Sequence, residues 1–203
     1  MRSAARSRTR RRAGTGSTPR VTGPRRAVLP VLVATALVAL AAGHASAVAD
    51  LNTTKAEMLW NIAKFVQWPD AAVAQSRGQI VFTILGEDDL AGELANLLST
   101  KTIGGKPVFV RFARRAQDAR GSQILYVAAS ETSHLDAVLA EVSGTPVLTV
   151  ADSPAFTVHG GMVGFTSEGE KVRFEINLGH AERSGLRISA KLLALARVVD
   201  SGP

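Results

Sequence analysis

QIVFTILGEDDLAGELANLL, residues 79–98, decides the fold. Gln79–Leu85 is a largely apolar run, which marks a strand covered on both faces. Gly86 ends it, and Glu87, Asp88 and Asp89 lead into an apolar-periodic helix, Leu90–Leu98. A buried strand feeding a helix is half of a β-α-β unit, and the pattern repeats. Gly104-Gly105-Lys106-Pro107 is a turn signal, followed by a second strand, Val108–Phe112. Gln123–Ala128 reads as a third strand, Ser133–Val142 as a helix capped by Ser133, and Pro146–Val150 as a fourth strand. The pattern predicts an α/β fold: a single domain with a mainly parallel sheet flanked by helices.

The periodicity then changes. Met162–Thr166 and Lys171–Asn177 flank Ser167-Glu168-Gly169-Glu170, a hairpin signal. Val172, Phe174 and Ile176 alternate with Arg173, Glu175 and Asn177, so one face is core and the other polar. This predicts a C-terminal antiparallel β-hairpin at the sheet edge. Ile188, Leu192, Leu195 and Val199 fit the stripe of a final helix, interrupted near Gly185.

Upstream, KAEMLWNIAKFVQWP, residues 55–69, reads as one amphipathic helix. Thr54 and Glu57 have the spacing of a capping box. Met58, Leu59, Ile62, Phe65 and Val66 fall on one face, and Glu57, Asn61, Lys64 and Trp68 on another. Pro69 blocks continuation, because the residue before a proline disfavours the helical region.

Residues 1–47 read as a removed export signal. Nine arginines and no acids come first, then the apolar run 27–42, then Ala45-Ser46-Ala47 with small residues where a signal peptidase cuts. Arg25-Arg26 before that run fits general (Sec) or twin-arginine (Tat) export. The domain expected after cleavage is 48–203. Removing nine of the 24 basic residues leaves 15 against 17 acidic, a net charge of −2. The high isoelectric point therefore belongs to the signal, and nucleic-acid binding loses its support. With no cysteine in the chain, the domain has neither disulfides nor zinc–thiolate sites, and its stability must come from the core.

KAEMLWNIAKFVQWP, ILGEDD, PVLTVAD with Phe156 and Gly160-Gly161-Met162, VRFEIN, and GLRISAKLLALARVV occur in this order. Together they resemble the YfiR family over about Lys55–Val199. The resemblance implies a periplasmic α/β domain without assigned enzymatic activity. It further implies a repressor that binds the periplasmic sensing domain of an inner-membrane diguanylate cyclase and restrains cyclic di-GMP signalling. The partner expected on this basis is a membrane-bound sensor or diguanylate cyclase, with a homodimer left open. Relatives often carry cysteines at the positions matching Thr83 and Ser122. Any thiol-based control among them cannot operate in this chain.

Ser133, His134 and Asp136 lie on one expected helix, and no G-x-S-x-G elbow exists, so no catalytic residue is assigned. His134, His159 and His180 stand apart in sequence without H-E-x-x-H, so no metal site or cofactor is assigned. Glu87, Asp88 and Asp89 complement a helix dipole or hold a cation or amine. Ligands in open α/β sheets bind beyond the carboxyl ends of strands, which makes Gly86, Asp88, Asp152, Gly160 and Gly161 a candidate cleft. Tryptophan is enriched in interface hot spots. Trp60, Lys64 and Trp68, with the polar face of Arg173, Glu175 and Asn177, form the candidate partner surface. Two readings result: a non-enzymatic periplasmic regulator, or a periplasmic small-molecule-binding protein using that cleft.

Overall fold

In the computed structural model, residues 51–168 and 171–199 are described; the expected export signal lies outside them. The central strand is β2 (Ile80–Leu85), as its apolar run requires. It pairs in parallel with β4 (Lys106–Ala113) on one side and β5 (Ile124–Val127) on the other. Beyond β5 come β6 (Leu148–Ala151) and β7 (Val163–Glu168), both parallel. β8 (Lys171–Asn177) returns antiparallel to β7 in the expected hairpin, and the short β3 (Thr102–Ile103) flanks β4.

Alternation along β2 explains the layers. Ile80, Phe82 and Ile84 face a core closed by α1 (51–63) and α3 (Asp89–Leu98). Leu85 faces a second core, closed by α4 (Leu135–Val142) and Phe156. Leu90, Leu94 and Leu98 of α3 are all buried, each contributing roughly 1.5–3 kcal/mol. The chain leaves β2 in one direction to β4 and then crosses back to β5 and β6. Strand order therefore reverses between β2 and β5, and a crevice is expected at their carboxyl ends.

Five local expectations fail. The first helix does not reach Pro69. It ends at residue 63, after which Val66–Gln67 forms β1 and pairs with β9 (Arg187–Ile188). The Phe65 carbonyl accepts from the Ser189 backbone N–H at 3.0 Å, and Phe65 is left 40% exposed. Strand pairing thus takes the last part of a helical-looking stripe. Thr54 cannot be the N-cap, because the helix already covers residue 51.

The final helix is instead three pieces: β9, a short α6 (Ala190–Leu193) and β10 (Arg197–Val199). β10 adds in parallel to β8, so the hairpin is not the sheet edge. The free edge of β8 rewards β-branched Val198 and Val199 with ladder bonds that a helix would forgo. Ser189 caps α6, its hydroxyl accepting from Lys191 N–H at 3.2 Å. Ser133 is not a cap: a 3₁₀ turn over Ala129–His134 precedes α4, and His134 occupies its N-cap position without a side-chain bond.

Candidate functional site

At the switch point between β2 and β5, the protein's own side chains fill the crevice. Asp88, the N-cap of α3, accepts from Ala91 N–H at 2.7 Å through Oδ1. Its Oδ2 accepts from Ala129 N–H at 2.7 Å and from the Tyr126 hydroxyl at 2.9 Å. Tyr126 is fully buried, and burial together with the Asp88 carboxylate pushes its phenol above the usual tyrosine range. It is a permanent donor here. The helix terminus takes Oδ1 and the Tyr126–Ala129 segment takes Oδ2, so the whole carboxylate is committed to internal partners.

Gly86 sits at φ +81, and a side chain there would run into Ser130 and Glu131. The Ser130 hydroxyl in turn accepts from Glu87 N–H at 2.9 Å. An open cavity of about 530 Å³ remains outside this lock, lined by Gly86, Glu87, Phe112, Arg114, Ser130 and Glu131 among others.

The other cleft residues lie elsewhere. Asp152 pairs with Lys55 at 2.6 Å, tying α1 to the end of β6. Lys55 is buried, so the pair is part of the fold rather than an open site. Gly160 lines a separate cavity of about 220 Å³ with Asp136, Thr149, His159, Met162 and His180. Gly161 is buried with its Cα against the Phe156 ring, where any side chain would clash. The single cleft expected from Gly86, Asp88, Asp152, Gly160 and Gly161 is thus divided, because Asp88 and Asp152 spend their charge on internal partners.

The partner surface divides too. Trp60 is half-buried against the main core and donates its indole N–H to the Thr102 carbonyl at 3.2 Å. Lys64 and Lys101 stack on its ring, 3.8 and 4.5 Å from the centroid, a cation–π arrangement on the outer face. Trp68 is also half-buried and donates to the Gln123 carbonyl at 2.9 Å.

Gln123 itself is fully buried. Its amide donates to the Ala72 carbonyl at 3.0 Å and accepts from Val81 N–H at 2.7 Å. The first strand pairing and α2 (Asp70–Gln75) are therefore fastened to the sheet through Trp68 and Gln123. Trp68→Ala is expected to lower stability by about 2–3 kcal/mol, from lost packing and one lost hydrogen bond. Urea denaturation checks it; a loss below about 0.5 kcal/mol would return Trp68 to the list of purely outward-facing residues.

On β8, Arg173 is exposed and meets Glu168 at 3.4 Å. Glu175 is mostly covered and bridges Thr157, at 2.9 Å, and Arg197, at 3.2 Å. Asn177 is no surface residue. It is fully buried, donates to the Thr157 carbonyl at 2.9 Å and caps α5 (Leu178–Arg183) by accepting from His180 N–H. Alternation along β8 put it on the polar face, but the Asp152–Met162 loop folds over that face and covers it.

Two features lie outside the candidate cleft and the candidate partner surface. Thr83 and Ser122, 39 residues apart, are buried with their hydroxyl oxygens 2.6 Å apart. Arg111 Nη2 donates to Ser122 Oγ at 2.8 Å and to the Asp118 carbonyl at 2.5 Å. The second is a groove of about 330 Å³ between α1 and the C-terminal segment, lined by Met58, Ile62, Phe65, Phe174, Leu192 and Leu195 among others. Its walls are mainly apolar, and Leu195 is 74% exposed. Two of its wall residues, Phe65 and Leu195, lie just beyond the ends of α1 and α6.

Residues 52–197 match the family model described as YfiR/HmsC-like. This chain belongs to the YfiR/HmsC-like family. The family is regulatory rather than catalytic, periplasmic, and interacts with membrane-associated partners. No helix among the described residues is long and apolar enough to cross a membrane. No curated protein matches the chain. A solved structure described as a conserved domain protein from Vibrio cholerae O1 biovar El Tor is similar, with 13% identity and a TM-score of 0.46. The alignment covers 64% of this chain and 60% of that one, so this chain spans less than two thirds of its length.

Proposed function

We propose that this chain is a non-enzymatic periplasmic regulator that binds the sensing domain of an inner-membrane diguanylate cyclase and restrains cyclic di-GMP synthesis. The family match over 52–197 carries this reading. Regulation would work by differential binding: the domain holds its partner in one conformation, and release shifts the equilibrium.

The surface best suited to that contact is the apolar groove between α1 and α6. Phe65 and Leu195 on its walls, with Val198 on the following edge strand, are three of the large hydrophobic side chains left exposed. An apolar surface of this kind, rimmed here by Glu57 and Asn61, favours a protein partner. Trp60, Lys64 and Arg173, candidates from the sequence, do not line this groove.

The test is recovery of partners from membranes with the purified domain. Wild type should retain a membrane-anchored diguanylate cyclase or sensor, and Leu195→Asp should weaken retention at least tenfold. Because Leu195 is 74% exposed, its replacement should leave the unfolding midpoint nearly unchanged. If no membrane sensor is recovered under several conditions, the regulator reading fails. The cavity beside Gly86 supports a second reading, a small-molecule site at the carboxyl end of the sheet, and the two can coexist if a ligand controls release.

A further inference from the structure

β4 is the longest strand of the sheet, yet most of it is covered on one side only. β2 pairs with it from Val108 to Ala113. On the other side β3 reaches only Lys106 and Pro107, and the Lys101 carbonyl takes the Val108 N–H at 3.1 Å. Backbone groups of a strand point alternately to its two neighbours. Val110 and Phe112 therefore direct theirs the same way as Val108, away from β2. Among the described residues nothing pairs with them there. An uncovered row of donors and acceptors is a template for another strand.

Natural sheets blunt open edges with charge or proline. Here Lys106 and Pro107 sit where β3 already covers the strand. The open part instead carries aromatic rings: Phe109 is 51% exposed and Phe112 is 64% exposed. The charge around it has one sign. Residues 101–115 hold Lys101, Lys106, Arg111, Arg114 and Arg115 and no acid, in a domain that is slightly acidic as a whole. Asp118 pairs with Arg115, and Glu87 and Glu131 share a cavity with Phe112 and Arg114. These acids offset three of the five cations, and the edge stays positive. Arg111 meets the hydroxyls of Thr83 and Ser122 and the Asp118 carbonyl, with no carboxylate against it. A second copy would bring two basic edges together, and like charges across a strand pair are destabilising. Acidic flanks on the incoming strand are the complement.

We propose that the open edge of β4 receives an extended acidic segment of a protein partner as an added strand. Main-chain bonds to Val110 and Phe112 give the affinity, and alternate side chains give the specificity. Phe109 and Phe112 are three residues apart and fall on opposite faces of the strand, so the segment needs apolar side chains on both. Its carboxylates meet Arg114 at one end and the lysines at the other. β4 lies far along the sheet from β10, and neither phenylalanine lines the groove beside Leu195. The edge is thus a second contact, independent of the groove.

Fluorescence anisotropy of the full chain with a fluorescein-labelled peptide, Asp-Glu-Val-Thr-Val-Thr-Val-Asp-Glu, tests this. Binding should saturate with a dissociation constant near or below about 100 μM. Replacing the four acids of the peptide by lysine should weaken it at least about tenfold. Placing proline at its three central positions, which removes main-chain donors, should do the same. Phe112→Asp and Arg114→Glu should each weaken binding at least about tenfold, whereas Leu195→Asp should leave it unchanged. Circular dichroism establishes that each variant is folded; should Phe112→Asp unfold, Arg114→Glu, at an exposed position, remains decisive. The absence of saturable binding below about 1 mM overturns the proposal. So does wild-type affinity in both folded variants. Equal binding of the proline peptide would reduce the contact to charge attraction without an added strand, and also overturns it. A dimer in analytical ultracentrifugation that Phe112→Asp abolishes, with no peptide bound, would give the edge to a second copy and overturn it too. None of these results touches the retention of a membrane sensor through the groove, which Leu195→Asp reads separately.

Discussion

Asp88→Ala is expected to lower the stability of the folded domain by about 2.5–4 kcal/mol. Three donors converge on this carboxylate: Ala91 N–H, Ala129 N–H and the Tyr126 hydroxyl. Losing the N-cap bond to Ala91 alone costs about 1 kcal/mol. The larger part comes from Tyr126, whose ring is fully buried. Its hydroxyl would lose a charged acceptor and gain no water, at about 1.5–3 kcal/mol. Ala129 lies at the exposed end of β5, so its N–H can turn to solvent at little cost.

Tyr126→Phe removes donor and hydroxyl together and should cost less than Asp88→Ala, because no polar atom is stranded. Urea midpoints for the two variants and wild type give the comparison. A loss below about 1 kcal/mol for Asp88→Ala would mean that the carboxylate is not committed to the fold. The crevice between β2 and β5 would then be available to a ligand, and the small-molecule reading would gain weight.

The double replacement of Thr83 and Ser122 by cysteine is expected to form a disulfide and to raise stability by about 2–3 kcal/mol under oxidising conditions. The two hydroxyl oxygens already touch at 2.6 Å, so side-chain direction and spacing suit a sulfur–sulfur bond. Closing a loop of about 40 residues reduces the entropy of the unfolded chain by an amount worth about 4 kcal/mol. Part of that gain is offset, because Arg111 loses a strong acceptor at Ser122 and weaker contacts at Thr83.

The check is a pair of urea titrations with and without reductant, together with a count of free thiols. Equal midpoints in the two conditions, or two free thiols after oxidation, would refute the geometry. Success would place the cysteine positions of relatives on a contact that this chain retains in polar form. The natural chain has no cysteine, so the same contact here answers to hydrogen bonding rather than to redox conditions.

Fold class was legible because its signals are local. Apolar runs at Ile80–Leu85, Ile124–Val127 and Leu148–Ala151, each bounded by turn or helix signals, need no tertiary information to read as buried parallel strands. The hairpin was legible for the same reason, its register running from Val163↔Ile176 to Glu168↔Lys171. The ends of the domain were not. Val66–Gln67 and Arg197–Val199 carry helical spacing, yet each pairs with a strand distant in sequence. Periodicity records which side of a segment meets the core; it does not record whether another strand offers open backbone groups beside it.

The candidate residues divide along the same line. That Asp88 caps a helix is written in three consecutive acids before Leu90. That its other oxygen binds Tyr126, 38 residues on, is not. Nothing in the local sequence tells that Asn177 is covered by the loop holding Thr157. Nor does it tell that Lys55 and Asp152 meet across 97 residues, or that His159 and His180 share a cavity.

By itself, then, the sequence determined an α/β sheet, its hairpin, a slightly acidic domain without cysteine and the family to which the chain belongs. Hydrophobic period, turn residues and charge are properties of neighbours along the chain. Only the tertiary structure decided which polar groups are spent on the fold and which stay available. It commits Asp88, Asp152 and Asn177 to internal partners, and leaves the groove beside Leu195 open. Whether a polar side chain is free depends on what folding brings beside it, and those neighbours lie tens of residues away.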